Sequence, residues 1–203
     1  MDALKLFTCL GGLFIENRFF NADLCSKIRD QMHSAPLKPA TVHRDGHYAV
    51  DEKVRRSQSV QVPQPTKALV KSLLLSLKPQ LESHFRLTLT DCEELQFLRY
   101  QQGDFFGLHT DTKTDSNTPE HIKRRKVSIV IFLNDQHRTP AQNSYGGGAL
   151  VFYGLLRDPR AAKYCFPLVG ETGLLIAFLS DTLHEVQPII WGERYTVVTW
   201  FLQ

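Results

Sequence analysis

The rhythm of apolar and polar positions changes near residue 94. Before it, helical spacing dominates. Leu13-Phe14-Ile15 is a short apolar run that predicts a strand, and Asn21 stands where a helix N-cap would. Leu24, Ile28 and Met32 then recur at four-residue intervals, which predicts a helix with one buried face, ended by Pro36 and Pro39. Residues 41–57 are polar and basic and read as a loop or an irregular strand. A second helix is expected from near Pro65 towards Phe85, with Leu69, Leu73, Leu77 and Leu81 as its stripe and Pro79 able to kink or split it.

After residue 94 the runs are strand-like: Leu95–Tyr100, Val127–Leu133, Leu150–Tyr153, Gly173–Phe178 and Tyr195–Leu202. Connections rich in Gly, Pro and Asn separate them. The pattern predicts a mainly β barrel or sandwich with two flanking helices packed outside. A chain of 203 residues suits one domain, residues 1–93 giving helical support and outer strands and 94–203 the β core. Gly146-Gly147-Gly148 is not followed by a helix carrying Lys-Ser/Thr, so it reads as a hairpin turn rather than a phosphate cradle.

Composition narrows the classes. At 42% hydrophobic and 22% charged the chain can build a core, so disorder is not the default. A net charge of +3 neither demands nor excludes an acidic partner, and is far from a nucleic-acid-binding extreme. The basic run His121–Lys126 reads as solvated charge on a loop entering a strand. The four cysteines, Cys9, Cys25, Cys92 and Cys165, form no Cys-x-x-Cys pair and fit buried, reduced thiols in a cytoplasmic setting. Leu6–Ile15 reads as a buried first strand rather than a leader, and no apolar stretch is long enough to span a membrane.

The candidate chemistry begins at His109-Thr110-Asp111. In extended chain, residues two apart point to one face, so both side chains can reach one metal ion. His184 lies downstream in Ser180–Val186, and Arg194 follows at the head of a strand. Two histidines and a carboxylate can fill one face of an octahedral Fe(II) and leave three positions open. A bidentate 2-oxo acid takes two of these and dioxygen the third. The far carboxylate of that acid then needs a fixed cation, for which an arginine fork such as Arg194 is suited. Thr196 shares the strand face of Arg194 and can donate a hydroxyl to the same carboxylate.

The run Arg99-Tyr100-Gln101-Gln102-Gly103-Asp104-Phe105-Phe106-Gly107-Leu108-His109-Thr110-Asp111 resembles the signature of the prolyl 4-hydroxylase-like branch of the 2-oxoglutarate dioxygenases. Val127–Asn134, Tyr145–Leu150, Pro167–Gly173 and Gly192-Glu193-Arg194, with Trp200 six residues after the arginine, continue the resemblance in order over residues 94–203. It implies a double-stranded β-helix, or jelly roll, with iron held by His109, Asp111 and His184 inside one open end. It implies Fe(II), 2-oxoglutarate and ascorbate as reductant, with succinate and CO2 released as a substrate C–H bond is hydroxylated. Tyr100 is a further candidate for the cosubstrate. Where relatives place a tyrosine before Leu-Asn this chain has Ile131, so Thr196 or Tyr100 would take that duty; Ala149 stands where relatives often carry Glu. Phe106 reads as core or pocket wall and Trp200 as a barrel-core aromatic, and His33, His43, His47, His84 and His137 carry no assigned role.

The expected substrate is a prolyl or similar residue in a peptide or protein, the alternative a free amino acid or other small metabolite. Nucleic-acid demethylation ranks lower, because Trp200 occupies the place of the second arginine those enzymes carry. A catalytically inactive binding module would be marked by a missing ligand, and a halogenase by a missing carboxylate; Asp111 and both histidines are present. Residues 112–125 directly follow the His-x-Asp pair and are the expected mobile lid.

Overall fold

A computed structural model describes residues 12–44, 46–155 and 164–203 of the chain. Cys9 and the first part of the expected strand from Leu6 lie outside these residues. The elements in chain order are β1 (Leu13–Glu16), α1 (Ala22–Ser34), β2 (Leu37–Pro39), β3 (Val42–Arg44), β4 (His47–Ala49), β5 (Arg55–Arg56), β6 (Gln58–Val60), α2 (Gln64–Phe85), β7 (Gln96–Tyr100), β8 (Phe105–His109), α3 (Glu120–Lys123) and β9 (Arg125–Phe132). There follow β10 (Asp135–Gln136), β11 (Ser144–Gly147), β12 (Leu150–Tyr153), β13 (Cys165–Leu168), β14 (Leu175–Leu179), β15 (Leu183–Val186), β16 (Ile189–Gly192) and β17 (Arg194–Leu202).

Two sheets carry the fold: a seven-stranded sheet in the order β1-β14-β9-β17-β7-β6-β2 and a five-stranded sheet in the order β13-β12-β15-β8-β5. Strands within both pair antiparallel. This is the jelly roll, with both helices applied to one face of the larger sheet. Period-two alternation divides that sheet's apolar runs between two cores. Ile129, Ile131, Val197 and Phe201 face Ile28 and Met32 of α1 and Val70, Leu74 and Leu81 of α2. Val130 and Phe132 face the other way, packing with Leu150, Phe152 and Val186 of the smaller sheet. The inner face of β17 therefore presents Arg194, Thr196, Val198 and Trp200 to the space between the sheets.

Helix α1 starts as expected: the Asn21 side chain accepts from the Leu24 N–H at 2.8 Å, and Cys25, Ile28 and Met32 are buried. Helix α2 runs unbroken through Pro79, and its buried face is Val70, Leu74, Leu77 and Leu81; of the expected stripe Leu77 and Leu81 are buried, Leu73 packs half-buried against the core and Leu69 falls outside it. Leu69 is 46% exposed. A strict four-residue repeat gains about 40° per step on a helix of 3.6 residues per turn, so Leu69 has rotated out of line with Leu77 and Leu81. Residues 41–57 are more ordered than expected. They make the β3–β4 hairpin and β5, and β6 follows; β5 extends the smaller sheet and β6 the larger.

The glycine triplet is not a hairpin turn. Gly146 and Gly147 end β11, which pairs with β16 across a bulge, and the chain passes on to β12. Gly147 and Gly148 have φ of +72° and +62°, and a Cβ on Gly147 would lie 2.4 Å from the Pro188 carbonyl oxygen, so glycine is required for the crossing. Cys25 and Cys92 are buried free thiols as expected, whereas Cys165 is exposed on β13, an edge strand. Among the described residues no helix is long and apolar enough to cross a membrane.

Candidate active site

Sheet register brings the candidate ligands together. In the β8–β15 pair, His109 and His184 are direct cross-strand partners, and their ring centroids stand 4.2 Å apart. Asp111 follows β8 by two residues, its N–H donating to the Ser180 carbonyl at 2.9 Å. His109 Nδ1 lies 2.8 Å from the Gly107 carbonyl and His184 Nδ1 2.9 Å from that of Thr182. A carbonyl can only accept, so each Nδ1 carries the proton and each Nε2 presents its lone pair. Both Nε2 atoms lie near one carboxylate, with His109 Nε2 3.6 Å from Asp111 Oδ1 and His184 Nε2 3.6 Å from Oδ2.

Electrostatics favours the protonation states that a metal needs. Burial opposes ionisation of Asp111, but His184, His109 and the Ser128 hydroxyl outweigh it and hold the carboxyl well below its usual range. Burial, with His109 alongside, pushes His184 down to about 4. A carboxylate at Asp111 and a neutral imidazole at His184 are ligands without further proton loss. The three residues could hold one ion, since their ligand atoms lie within 4.8 Å of one another. Among the described residues no other group of three His, Cys, Asp or Glu side chains does so.

Beside this cluster, a narrow cavity of about 40 Å³ reaches inward to Arg194, lined by Tyr100, Leu150, His184, Thr196 and Trp200 among others. It shares Arg55, Phe106, His109, Asp111 and Trp200 with an outer mouth of about 150 Å³ that reaches His43, Tyr48, Lys113, Ile122 and Arg125. A larger cleft of about 930 Å³, around Arg18, Asp135, His137 and Glu171, contains none of the cluster.

Arg194 is 1% exposed, has no ion-pair partner among the described residues, and its Nε makes no hydrogen bond. Its guanidinium carbon lies 5.1 Å from the Tyr100 ring and 5.0 Å from the Phe132 ring. The Thr196 and Tyr145 hydroxyls are likewise buried without a partner. Burial raises the Tyr145 phenol, with Arg194 pulling the other way. A buried cation and orphaned hydroxyls cost free energy until an acceptor arrives, so this pocket is built for an anion.

Tyr100 lines the cavity as the cross-strand partner of Arg194. Ile131 faces the helices; the inward neighbour on β9 is Phe132, so it is Phe132 that stands where a tyrosine could have reached the anion. Trp200 is buried as expected, at 5% exposure, and also forms part of the cavity wall. It carries the Arg125 guanidinium 3.7 Å from its ring centroid, and Arg125 is held by Glu93 through two hydrogen bonds of 2.7 Å. The expected solvated run is thus partly buried, Ile122 fully so. Phe106 is pocket wall, stacked on His109 at 3.6 Å with Arg55 4.7 Å from its centroid. Sequence reading missed Tyr145, Arg55 and Ser128. For Ser128 a signal existed: a lone serine in a run of Val, Ile and Phe.

Residues 95–202 match the model of the 2OG-Fe(II) oxygenase superfamily. A PKHD-type hydroxylase of Shewanella baltica is 34% identical over 104 residues, 51% of this chain and 40% of its own length. One of Thermosynechococcus vestitus is 34% identical over 106 residues, 52% and 41% of the two chains. The matched segment is thus about half of this chain and less than half of those relatives. A prolyl-4-hydroxylase of Pseudomonas putida superposes with a TM-score of 0.70 at 26% identity, covering 95% of this chain and 93% of that one. A Trichoplax adhaerens prolyl hydroxylase, solved with a hypoxia inducible factor peptide, shares the fold at a TM-score of 0.68 and 17% identity, over 98% and 92% of the chains. The family implies Fe(II) and 2-oxoglutarate, and the donor set and the anion pocket described above fit both. With the family match spanning more than half of its residues, the chain belongs to the 2OG-Fe(II) oxygenase superfamily.

Proposed function

We propose that the protein is an Fe(II)- and 2-oxoglutarate-dependent hydroxylase of a prolyl or similar residue in a peptide or protein. In this reading His109, Asp111 and His184 hold the iron, and Arg194 with Thr196 receives the far carboxylate of 2-oxoglutarate. The carrying observation is the buried, unpaired Arg194 in the same cavity as the His–Asp–His cluster. When bound, iron and 2-oxoglutarate would activate dioxygen, one oxygen atom going to succinate as CO2 is lost and the other to the hydroxylated carbon.

The chain's own contribution is placement and exclusion of water. Carbonyls of Gly107 and Thr182 fix the imidazole tautomers. Arg194 fixes the reach of the cosubstrate along the cavity, and Tyr100, Leu150 and Val186 keep its path apolar. The substrate enters by the mouth between Tyr48, Arg125 and Trp200. Peptide substrate is supported by the prolyl hydroxylase relatives, one of them solved with a peptide.

The domain is taken as the whole of 1–203, and ascorbate as the reductant that sustains turnover. Residues 112–125 act as a lid: Thr112 Oγ1 donates to the Ile122 carbonyl at 2.9 Å, and Tyr48 and His121 meet at 2.7 Å across the mouth. Buried, unpaired Cys25 and Cys92 support a cytoplasmic setting. Turnover of a proline-containing peptide pool against free amino acids, read by mass spectrometry as gain of one oxygen atom, tests the substrate class. Oxygen gain on free amino acids alone would overturn it.

A further inference from the structure

Two serines stand behind Asp111, Ser128 at 0% and Ser180 at 1% exposure. Ser128 lies on the inner face of β9 in line with Val130 and Phe132, and Ser180 immediately follows β14. Hydroxyls buried there cost free energy unless paired, and the surrounding core is otherwise filled by Val, Ile and Phe. Ser128 Oγ lies 2.7 Å from Asp111 Oδ2 and 3.0 Å from Ser180 Oγ. An ionised carboxylate only accepts, so the single Ser128 proton is donated to Asp111, and Ser128 can then only accept from Ser180. The direction of the relay is fixed: Ser180 to Ser128 to Asp111. Ser180 also fixes the backbone there, its carbonyl accepting from the Asp111 and Thr112 N–H groups at 2.9 and 3.1 Å.

The two Asp111 oxygens stand at equal distance from the ligand cluster, each 3.6 Å from a different imidazole Nε2. Nothing in the histidine pair selects one of them, and a carboxylate so placed can coordinate through both. Among the described residues, the serine relay breaks the symmetry by hydrogen bonding to Oδ2. We infer that Ser128, oriented by Ser180, is a positioning residue that engages Oδ2 and keeps Asp111 a one-oxygen ligand. The inference rests on the iron and 2-oxoglutarate reading proposed above. His109, Asp111 and His184 would then hold a bound ion through three donor atoms and leave room for a chelating 2-oxo acid, with which a second aspartate oxygen would compete.

The test uses the full chain and Co(II) as probe, titrated first with the metal and then with 2-oxoglutarate or pyruvate, followed by calorimetry and by the visible absorption of cobalt. Ser128→Ala is expected to bind Co(II) within about threefold of wild type, or more tightly, while losing about tenfold or more in affinity for both 2-oxo acids. Pyruvate lacks the far carboxylate, so an equal loss for both acids places the defect at the chelating end. Ser180→Ala is expected to show the same split with a smaller loss, and both variants to shift the cobalt absorption before any acid is added. Unchanged 2-oxo acid affinity in Ser128→Ala, or equal losses of metal and acid affinity, would overturn the inference. A wild-type protein that takes Co(II) but not 2-oxoglutarate would instead contradict the function proposed above.

Discussion

His109 and His184 are direct partners across the β8–β15 pair, so the candidate metal site is a property of sheet register. In an antiparallel pair a one-residue slip turns a whole row of side chains to the other face. Neither ligand depends on a flexible loop for its position. Replacing one histidine should therefore leave the fold intact and remove metal affinity. His184→Ala is expected to bind Mn(II) or Co(II) at least about 100-fold more weakly than wild type, with circular dichroism unchanged. Metal affinity within a few-fold of wild type would remove His184 from the site.

Arg194 makes an opposite pair of demands. As a buried cation without a carboxylate it burdens the empty protein, and as an anion receptor it serves the filled one. Arg194→Met is expected to raise the stability of the metal-free protein by about 1–3 kcal/mol. The same change should abolish the rise in melting temperature that Co(II) plus 2-oxoglutarate gives the wild type. A variant still stabilised by 2-oxoglutarate would show that the far carboxylate is held elsewhere.

Two histidines should make the metal-free protein acid-sensitive before its carboxylates titrate. Burial lowers His84, whose Nε2 is enclosed without a partner, and burial with His109 lowers His184 to about 4. Each stays neutral in the fold while the unfolded chain takes up protons below its ordinary value of 6.5. Stability is therefore full above that value and is lost as pH falls from 6.5 towards the folded value. Denaturant unfolding should show a loss between pH 6.5 and 5, His184 contributing about 1–2 kcal/mol. The slope should lessen in His84→Phe. A flat profile over this range would contradict the burial argument.

The helical faces give a sharper test of what the sequence concealed. Leu74→Ala, in the core between α2 and the larger sheet, should cost about 2–5 kcal/mol in urea unfolding, and Leu69→Ala under about 0.5 kcal/mol. Equal costs would mean that the face is misassigned. From leucines alone the two stripes are hard to separate, because Val70 is the buried member and Leu69 its exposed neighbour.

The same limit applied to the strands. The long apolar runs of β9, β14 and β17 were legible, but they are buried on both faces, and periodicity cannot say which residues look inward. Conversely, β8 and β15 escaped detection because their functional residues broke the pattern: Phe105–His109 contains a glycine, and Leu183–Val186 is four residues with a glutamate inside. The candidate ligands His109, Asp111 and His184 and the cation Arg194 were legible because each proposed role needs a particular residue type. Tyr145 was not, since its place beside Arg194 depends on how β11 leaves the bulge at Gly147.

In the proposed function a metal at His109–Asp111–His184 and the cation at Arg194 work on one 2-oxo acid. Succinate release from 2-oxoglutarate, measured with and without added Fe(II), tests it most directly. The wild type should form succinate only with Fe(II), and Asp111→Ala should fall to background. Succinate formed without iron, or undiminished in Asp111→Ala, would contradict the account.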